Sequence, residues 1–247
     1  MFNLPKLIGH RGVKNLSPEN TKDSIKLAKK MGLNWVEIDV KISKDLIPIL
    51  LHDDSLDRTT NGKGLPIDFE YNILRNLDAG YFFYNRNTNI FIPTLKDILI
   101  LSQKNNISLN IELKPNIGYE KENVNAIIKA IKNSNFDREY YFSSFDLNSL
   151  IIMKEHFPES KCGLLIDKFE KNLSVINIIN LSKKYNFFSC GFNKNIINLE
   201  IIEKIKRNKL IITAFSDENI KINEANELWS MGVNSIFVDD PSKFKIE

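Results

Sequence analysis

Eight short apolar or β-branched runs alternate with helix-spaced segments along 247 residues. That tally predicts an α/β fold of the TIM, or (β/α)8, barrel type. No Gly-x-Gly-x-x-Gly follows any run, which sets a doubly wound open sheet second. The predicted strands are residues 6–9, 35–42, 108–113, 140–143, 161–166, 187–190, 210–214 and 235–238. The predicted helices are 24–31, 95–102, 124–131, 147–156, 173–185, 199–206 and 222–231. The first repeats apolar residues at Ile25, Leu27, Ala28 and Met31, the second at Leu95, Ile98, Leu99 and Leu101. Thr94, Asp146 and Asp217 read as helix start signals. Gly32 and Gly232 stand where helices stop.

One span breaks the alternation. Residues 55–93 hold RTTNGKGLP, several aromatics and NRNTN without a period, and read as an insertion on the functional rim. Tyr71, Tyr81, Phe82, Phe83, Tyr84 and Phe91 within it read chiefly as core packing, with a rim landing surface as the alternative. No linker or composition shift divides the chain, so residues 1–247 are expected to form a single domain. Too little chain follows the eighth run for a full eighth outer helix.

Composition narrows the function classes. The chain is 43% hydrophobic and 26% charged, which excludes disordered, collagen-like and low-complexity classes. A net charge of +3 over this length is no footprint for nucleic acid or a membrane surface. Cys162 and Cys190 each sit in an apolar run and read as buried free thiols. No apolar run reaches the roughly 20 residues a bilayer span needs, and MFNLPKLIGH is too quickly polar for a signal peptide. A cytoplasmic protein without stable membrane insertion, monomer or homodimer, is the expectation.

The chemistry gathers at strand ends. His10, Arg11 and Gly12 end the first strand. Glu37 and Asp39 lie two apart on the second, so the strand's period puts both carboxylates on one face, with Val36, Ile38 and Val40 on the other. Glu112 and Lys114 repeat the pattern on the third, and His52–Asp53 closes the hairpin-like run 47–52. Three buried like charges need compensation by a cation or protons. An all-oxygen cluster suits Mg2+ or Ca2+. Arg11 and Lys114 are phosphate-holding types, and His10 and His52 make an acid–base pair. Each element alone has a bland reading: an exposed strand-end acid, a turn-capping histidine, a snorkelling lysine. Their joint placement at the C-terminal strand ends favours a metal-assisted site for a phosphorylated substrate. His156, late in a helix, reads as a surface residue, and Trp35 and Trp229 as packing.

In order, the strings LIGHRG, SPENT, WVEIDVKISKD, ILLHDDSLDRTTNGKG, IPTLKDIL and NIELKP resemble the glycerophosphodiester phosphodiesterase family, densely over residues 6–115. The resemblance thins in the middle and returns at SSFD (143–146) and GVNSIFVDDP (232–241). It implies a TIM barrel, an insertion after the second strand, and hydrolysis of a small-molecule glycerophosphodiester to sn-glycerol 3-phosphate and an alcohol. By position it implies His10 and His52 as the acid–base residues. Glu37, Asp39 and Glu112 match the ligands of a divalent cation, and Arg11 and Lys114 the phosphate-binding residues. Glu19 and Asn20 stand in the loop-shaping SPENT element and are given no chemical role. The family's aromatic-rich run after the seventh strand reads ITAFSDEN here, with Phe215 the candidate substrate wall. Lysophospholipase D-like and sphingomyelinase D-like enzymes resemble the pattern too, and would act on lipid substrates.

Overall fold

The computed structural model describes residues 3–170 and 173–245. β1 (Leu7–Gly9) leads through α1 (Lys22–Lys30) to β2 (Trp35–Ile42), and β2 turns back into the short β3 (Pro48–Leu50). An irregular stretch follows, holding a 3-10 turn at Pro66–Asp68 and two single-turn helices, α2 (Tyr71–Leu74) and α3 (Tyr81–Tyr84). Then α4 (Leu95–Asn105), β4 (Ser108–Leu113), α5 (Glu120–Lys132), β5 (Tyr140–Ser144), α6 (Leu147–His156) and β6 (Cys162–Ile166) alternate. The series ends with α7 (Val175–Tyr185), β7 (Ser189–Asn193), α8 (Leu199–Arg207), β8 (Ile211–Phe215), α9 (Ile222–Met231) and β9 (Ser235–Val238).

Eight strands, all but β3, close a parallel barrel in the order β1-β2-β4-β5-β6-β7-β8-β9, sealed where β9 pairs with β1. The predicted barrel is the observed fold. Its eight strands coincide with the eight sequence runs to within one residue at either end, except that β7 starts two and ends three residues later than the run 187–190. Among the described residues no helix follows β9; Phe244 instead folds back onto Trp229, ring centroids 6.3 Å apart. No helix among the described residues is long and apolar enough to cross a membrane.

Alternation along each strand makes two cores. Outward residues such as Val36, Ile38, Val40, Leu109 and Ile111 pack against the helix ring. Inward, Ile8, Trp35, Tyr141 and Phe237 plug the barrel floor, with Tyr141 set against Trp35 at 6.0 Å and Phe188 at 5.2 Å. The inward carboxylates Glu37, Asp39 and Glu112 stand above this plug, toward the C-terminal mouth. Cys162 and Cys190 are buried free thiols, and burial pushes them up to about 11 and about 12.

Helix starts follow short polar side chains. Thr21 and Thr94 form capping boxes with Ser24 and Asp97, and Asp146 accepts the backbone N–H of Asn148 and Ser149. Asp217 does not cap its helix. Asn219 is drawn to the end of β9, where its side-chain Oδ1 accepts the Asp239 and Asp240 N–H groups at 2.9 and 3.0 Å. With Ile220 fully buried, α9 begins only after Lys221, whose N–H is taken by Glu224 at 2.8 Å.

The insertion is built on a small apolar cluster of Ile49, Leu51, Leu56, Leu74, Ala79 and Ile92. Tyr71 packs against it and donates its hydroxyl to the Ile92 carbonyl at 3.2 Å. The packing expected for the other aromatics is overturned: Tyr81, Phe82, Phe83, Tyr84 and Phe91 are 37–51% exposed. The reason is geometric. Four consecutive rings on one helical turn point around the whole axis, and no single cluster can bury them all.

Ile38 is fully buried between barrel and helices. Ile38→Ala is expected to cost about 2–5 kcal/mol, read as a fall in the urea midpoint at unchanged slope.

Candidate active site

β1 pairs with β2 at Gly9↔Val36, and β2 runs on beyond that point. The slot left beside its upper half is filled by β3, antiparallel, with Leu50 opposite Val40. The chain leaving β1 at His10 and the chain leaving β3 at His52 thus enter the mouth from the same flank. Two glycines permit this. A Cβ on Gly9 would meet the Gly12 carbonyl oxygen at 2.2 Å. Gly12 itself has φ +84° and lies against Ser24, directly after Arg11, which also adopts a left-handed φ of 51°.

Inward-facing Glu37, Asp39 and Glu112 are buried and each offers one carboxylate oxygen within 4.8 Å of the others. Asp39 and Glu112 are direct partners across β2 and β4. Glu37 Oε2 accepts the Arg11 N–H at 2.8 Å. Asp39 Oδ2 accepts Asn20 Nδ2 at 2.8 Å, while the Asp39 N–H donates to Asn20 Oδ1 at 3.1 Å. Arg11 Nε stands 3.4 Å from Asp39 Oδ2, and Lys114 Nζ 3.1 Å from Glu112 Oε1 and 3.7 Å from Asp39 Oδ1. Two cations therefore face three carboxylates.

The imbalance sets the proton affinities of the three carboxylates apart. Burial and the neighbouring Asp39 and Glu112 push Glu37 well up. Burial, then Asp39, pushes Glu112 up against the pull of Lys114. Burial would raise Asp39 as well, but Lys114 and Arg11 hold it below the usual carboxylate range. Glu37 Oε1 is buried without a hydrogen-bond partner. An orphaned carboxylate oxygen, excess negative charge and an all-oxygen donor set are what a hard divalent cation would satisfy. These three residues fit such an ion.

Each histidine is oriented by an aspartate. His10 Nδ1 lies 2.7 Å from Asp239 Oδ1, and Lys14 Nζ 3.4 Å from the other oxygen. This directs His10 Nε2 toward the mouth, 4.0 Å from Glu37 Oε2. Burial pulls His10 below its ordinary value, with Arg11 and Lys14 acting the same way against the Asp239 hydrogen bond. His52 Nδ1 lies 2.7 Å from Asp53 Oδ1. Asp53 is also gripped by Arg58, whose Nη1 and Nη2 reach Glu19 at 2.8 Å each, and Glu19 in turn takes Arg11 Nη1 at 2.8 Å. The two histidine segments are thereby joined through one chain of ion pairs.

His10, Arg11, Glu37, His52, Glu112 and Lys114 line one cavity of about 390 Å³, and Phe215 lies on its far wall. Asp39 is not among the lining residues but has an oxygen within 4.8 Å of those of Glu37 and Glu112. The structure thus brings together all the candidates read from the sequence. It leaves His156 outside, on the surface, with Nδ1 2.7 Å from Asn125 Oδ1. Sequence reasoning missed Asp239, Asp53, Lys14 and Asn110. It also missed the positioning parts of Glu19 and Asn20. For Asp239 a signal existed, since it opens the DDP that follows the last strand run.

Residues 10–243 match the model of the glycerophosphoryl diester phosphodiesterase family. A glycerophosphodiester phosphodiesterase of Caldanaerobacter subterraneus subsp. tengcongensis is 32% identical over 236 residues, covering 95% of this chain and 94% of that protein. An Oleispira antarctica phosphodiesterase, solved in complex with the product sn-glycerol-3-phosphate, superposes with a TM-score of 0.88 at 31% identity, covering 96% of this chain and 93% of that one. A glycerophosphodiester phosphodiesterase of Thermotoga maritima shares the fold at a TM-score of 0.74 and 23% identity, covering 97% of this chain and 96% of that one.

Without a cation, the raised Glu37 binds more protons folded than unfolded. Its contribution to stability is thus intact below its ordinary value of 4.5 and is lost as pH rises through the folded value. Glu37→Gln should flatten that decline, stabilising the chelator-treated protein at neutral pH by on the order of 1–3 kcal/mol. It should also abolish the rise in melting temperature on adding Mg2+ or Ca2+. Thermal scans from pH 4 to 8 test both; a wild-type-like metal response in the variant would exclude Glu37 as a ligand.

Proposed function

The chain belongs to the glycerophosphoryl diester phosphodiesterase family, and on that premise we propose that it hydrolyses glycerophosphodiesters to sn-glycerol 3-phosphate and an alcohol in a metal-assisted reaction. The observation that carries this reading is the meeting, in one cavity, of two aspartate-oriented imidazoles, two cations and a three-carboxylate cluster.

Glu37, Asp39 and Glu112 would hold a divalent cation, Mg2+ or Ca2+. When bound it would supply Lewis acidity toward a phosphoryl oxygen. Arg11 and Lys114 have side chains aimed into the same space and would bind the remaining phosphoryl charge, which grows toward the transition state. Asp239 fixes the His10 tautomer with Nδ1–H bound, leaving Nε2 as the lone-pair nitrogen. A lowered His10 is neutral at neutral pH, which suits a general base taking the proton from the attacking oxygen. His52, held through Nδ1 by Asp53, would then give a proton from Nε2 to the departing alcohol. The attacking oxygen is water or the glycerol 2-hydroxyl, the latter passing through a cyclic phosphate. A substrate lacking that hydroxyl separates the two routes, since undiminished hydrolysis excludes the cyclic one.

A second reading keeps the chemistry and changes the substrate to a lysophospholipid or sphingomyelin. The five exposed aromatics of the insertion favour it as a lipid-facing surface. Turnover of micellar lysolipid against water-soluble glycerophosphocholine distinguishes the two readings.

Purified protein is expected to release glycerol 3-phosphate from glycerophosphocholine, with activity lost in EDTA and restored by Mg2+ or Ca2+. His10→Ala and His52→Ala should each lower kcat by roughly 10²–10⁴-fold. The acid limb of kcat/KM should lie below pH 6.5, the direction His10 is shifted from its ordinary value. A double-histidine variant with near-normal turnover would refute the assignment.

A further inference from the structure

Lys41 follows Glu37 and Asp39 on the inward face of β2, and its side chain is fully buried. A buried ammonium is costly unless it is paired. Its ion-pair partner is Asp54, with Nζ 2.8 Å from Oδ1, and Asp54 is itself 70% exposed. A pair with one end in solvent contributes little stability. Among the described residues no ion pair joins Lys41 to Glu37, Asp39 or Glu112, and Lys41 does not line the cavity. Neither direct offset of the carboxylate cluster nor contact with a ligand accounts for its burial.

Reach does account for it. Lys41 Nζ leaves β2 for two different loops. Asp54 stands two residues after His52 on the segment leaving β3. The second acceptor is the Pro115 carbonyl at 3.5 Å, directly after Lys114 on the loop leaving β4. The Lys114 loop has other anchors. Its Lys114 N–H donates to the Val40 carbonyl at 3.2 Å, and Asn116 Nδ2 to the Ile42 carbonyl at 2.9 Å. The His52 segment is held differently. The Leu51 N–H donates to the Asp39 carbonyl and the Leu56 N–H to that of Gly64, but among the described residues no backbone N–H of 52–55 donates a hydrogen bond. Side chains hold that stretch instead. Arg58, about half exposed, grips Asp53 from outside, and Lys41 grips Asp54 from within the barrel. A half-exposed guanidinium can swing with its loop; an ammonium enclosed on a central strand is fixed by the packing around it.

We propose that Lys41 is a positioning residue for the reaction: through Asp54 it pins the His52 segment to β2 and so holds the His52 imidazole over the cavity beside Lys114. This role rests on the hydrolysis proposed above. The link can be cut from its exposed end, away from the core. In Asp54→Ala, kcat for glycerophosphocholine should fall about tenfold, within the roughly 10²-fold that a 1 Å misplacement can cost. KM should stay within about threefold, because Arg11 and Lys114 keep their places. Asp54→Glu should restore most of the rate. Lys41→Met should lower kcat at least as far; if it fails to fold, the Asp54 variants carry the test from the outer end. In a His52→Ala background, Asp54→Ala should change the residual rate by less than about twofold, since a residue acting only through His52 has nothing left to position. Backbone 15N order parameters read the tether without turnover: those of residues 52–54 should fall in Asp54→Ala while the barrel strands keep theirs. A full additional loss in the His52→Ala background, or unchanged order parameters at 52–54, would overturn the positioning role. A parent protein that releases no glycerol 3-phosphate would instead sink the proposed hydrolysis, and the order parameters would still decide the tether.

Discussion

Three buried carboxylates, each with an oxygen within 4.8 Å of the others, are the constraint around which the mouth of this barrel is arranged. Removing even one ion from water costs several kcal/mol after relaxation. Here Glu37, Asp39 and Glu112 stand against the charges of Arg11 and Lys114. The fold meets that cost by geometry. β2 outruns β1, so its inward face continues above the aromatic plug into polar space. The HRG turn then brings both a guanidinium and a backbone N–H onto the carboxylates, which requires left-handed backbone at Arg11 and Gly12. Asn20, itself at φ 56°, supplies the neutral clamp on Asp39. Strained backbone gathered at such a place is tolerated because the surrounding contacts over-determine it.

The second organising element is the chain Arg11–Glu19–Arg58–Asp53. Arg58 is half exposed, and exposed ion pairs contribute little to stability. Their value here is geometric. His10 rides on the β1 loop and His52 on the return from β3, two segments 42 positions apart that share no strand pairing. Bidentate guanidinium–carboxylate contacts fix direction as well as distance. Glu19 thereby sets the Arg11 guanidinium and the Asp53–His52 pair in one frame, and Lys41, fully buried on β2, ties the adjacent Asp54 at 2.8 Å.

How much of this was legible follows from range. The period of 2 on residues 35–42 puts Trp35, Glu37, Asp39 and Lys41 on one face, and that local rule placed the carboxylates correctly. Barrel closure followed from counting alternations, again a local signal. Asp239 escaped because its role depends on β9 lying beside β1, a contact across 229 positions that no periodicity encodes. Asp217 was misread for the opposite reason: it has the chemistry of a helix cap, but the tertiary pull of Asn219 onto β9 delays the helix. The aromatics of 81–84 exposed the limit of composition, because a hydrophobic run signals burial only when the element has one face to bury.

The two ends of the cavity differ in how strongly they are determined. At the β1–β4 end Arg11, Glu19, Asn20, Asp39, Glu112 and Lys114 are tied to one another and to the neighbouring backbone by hydrogen bonds and ion pairs, so a substitution at one disturbs the others. At the β6–β8 end Asp167 and Asp217 are exposed, and the edge-to-face pair of Phe145 and Phe215 stands at the rim. The departure of ITAFSDEN from the family's aromatic-rich run falls on this looser end, with Phe215 and Asp217 both within it. A tightly tied end and a looser one are what a barrel provides when its buried strand faces carry the charged cluster and its loops carry the rim.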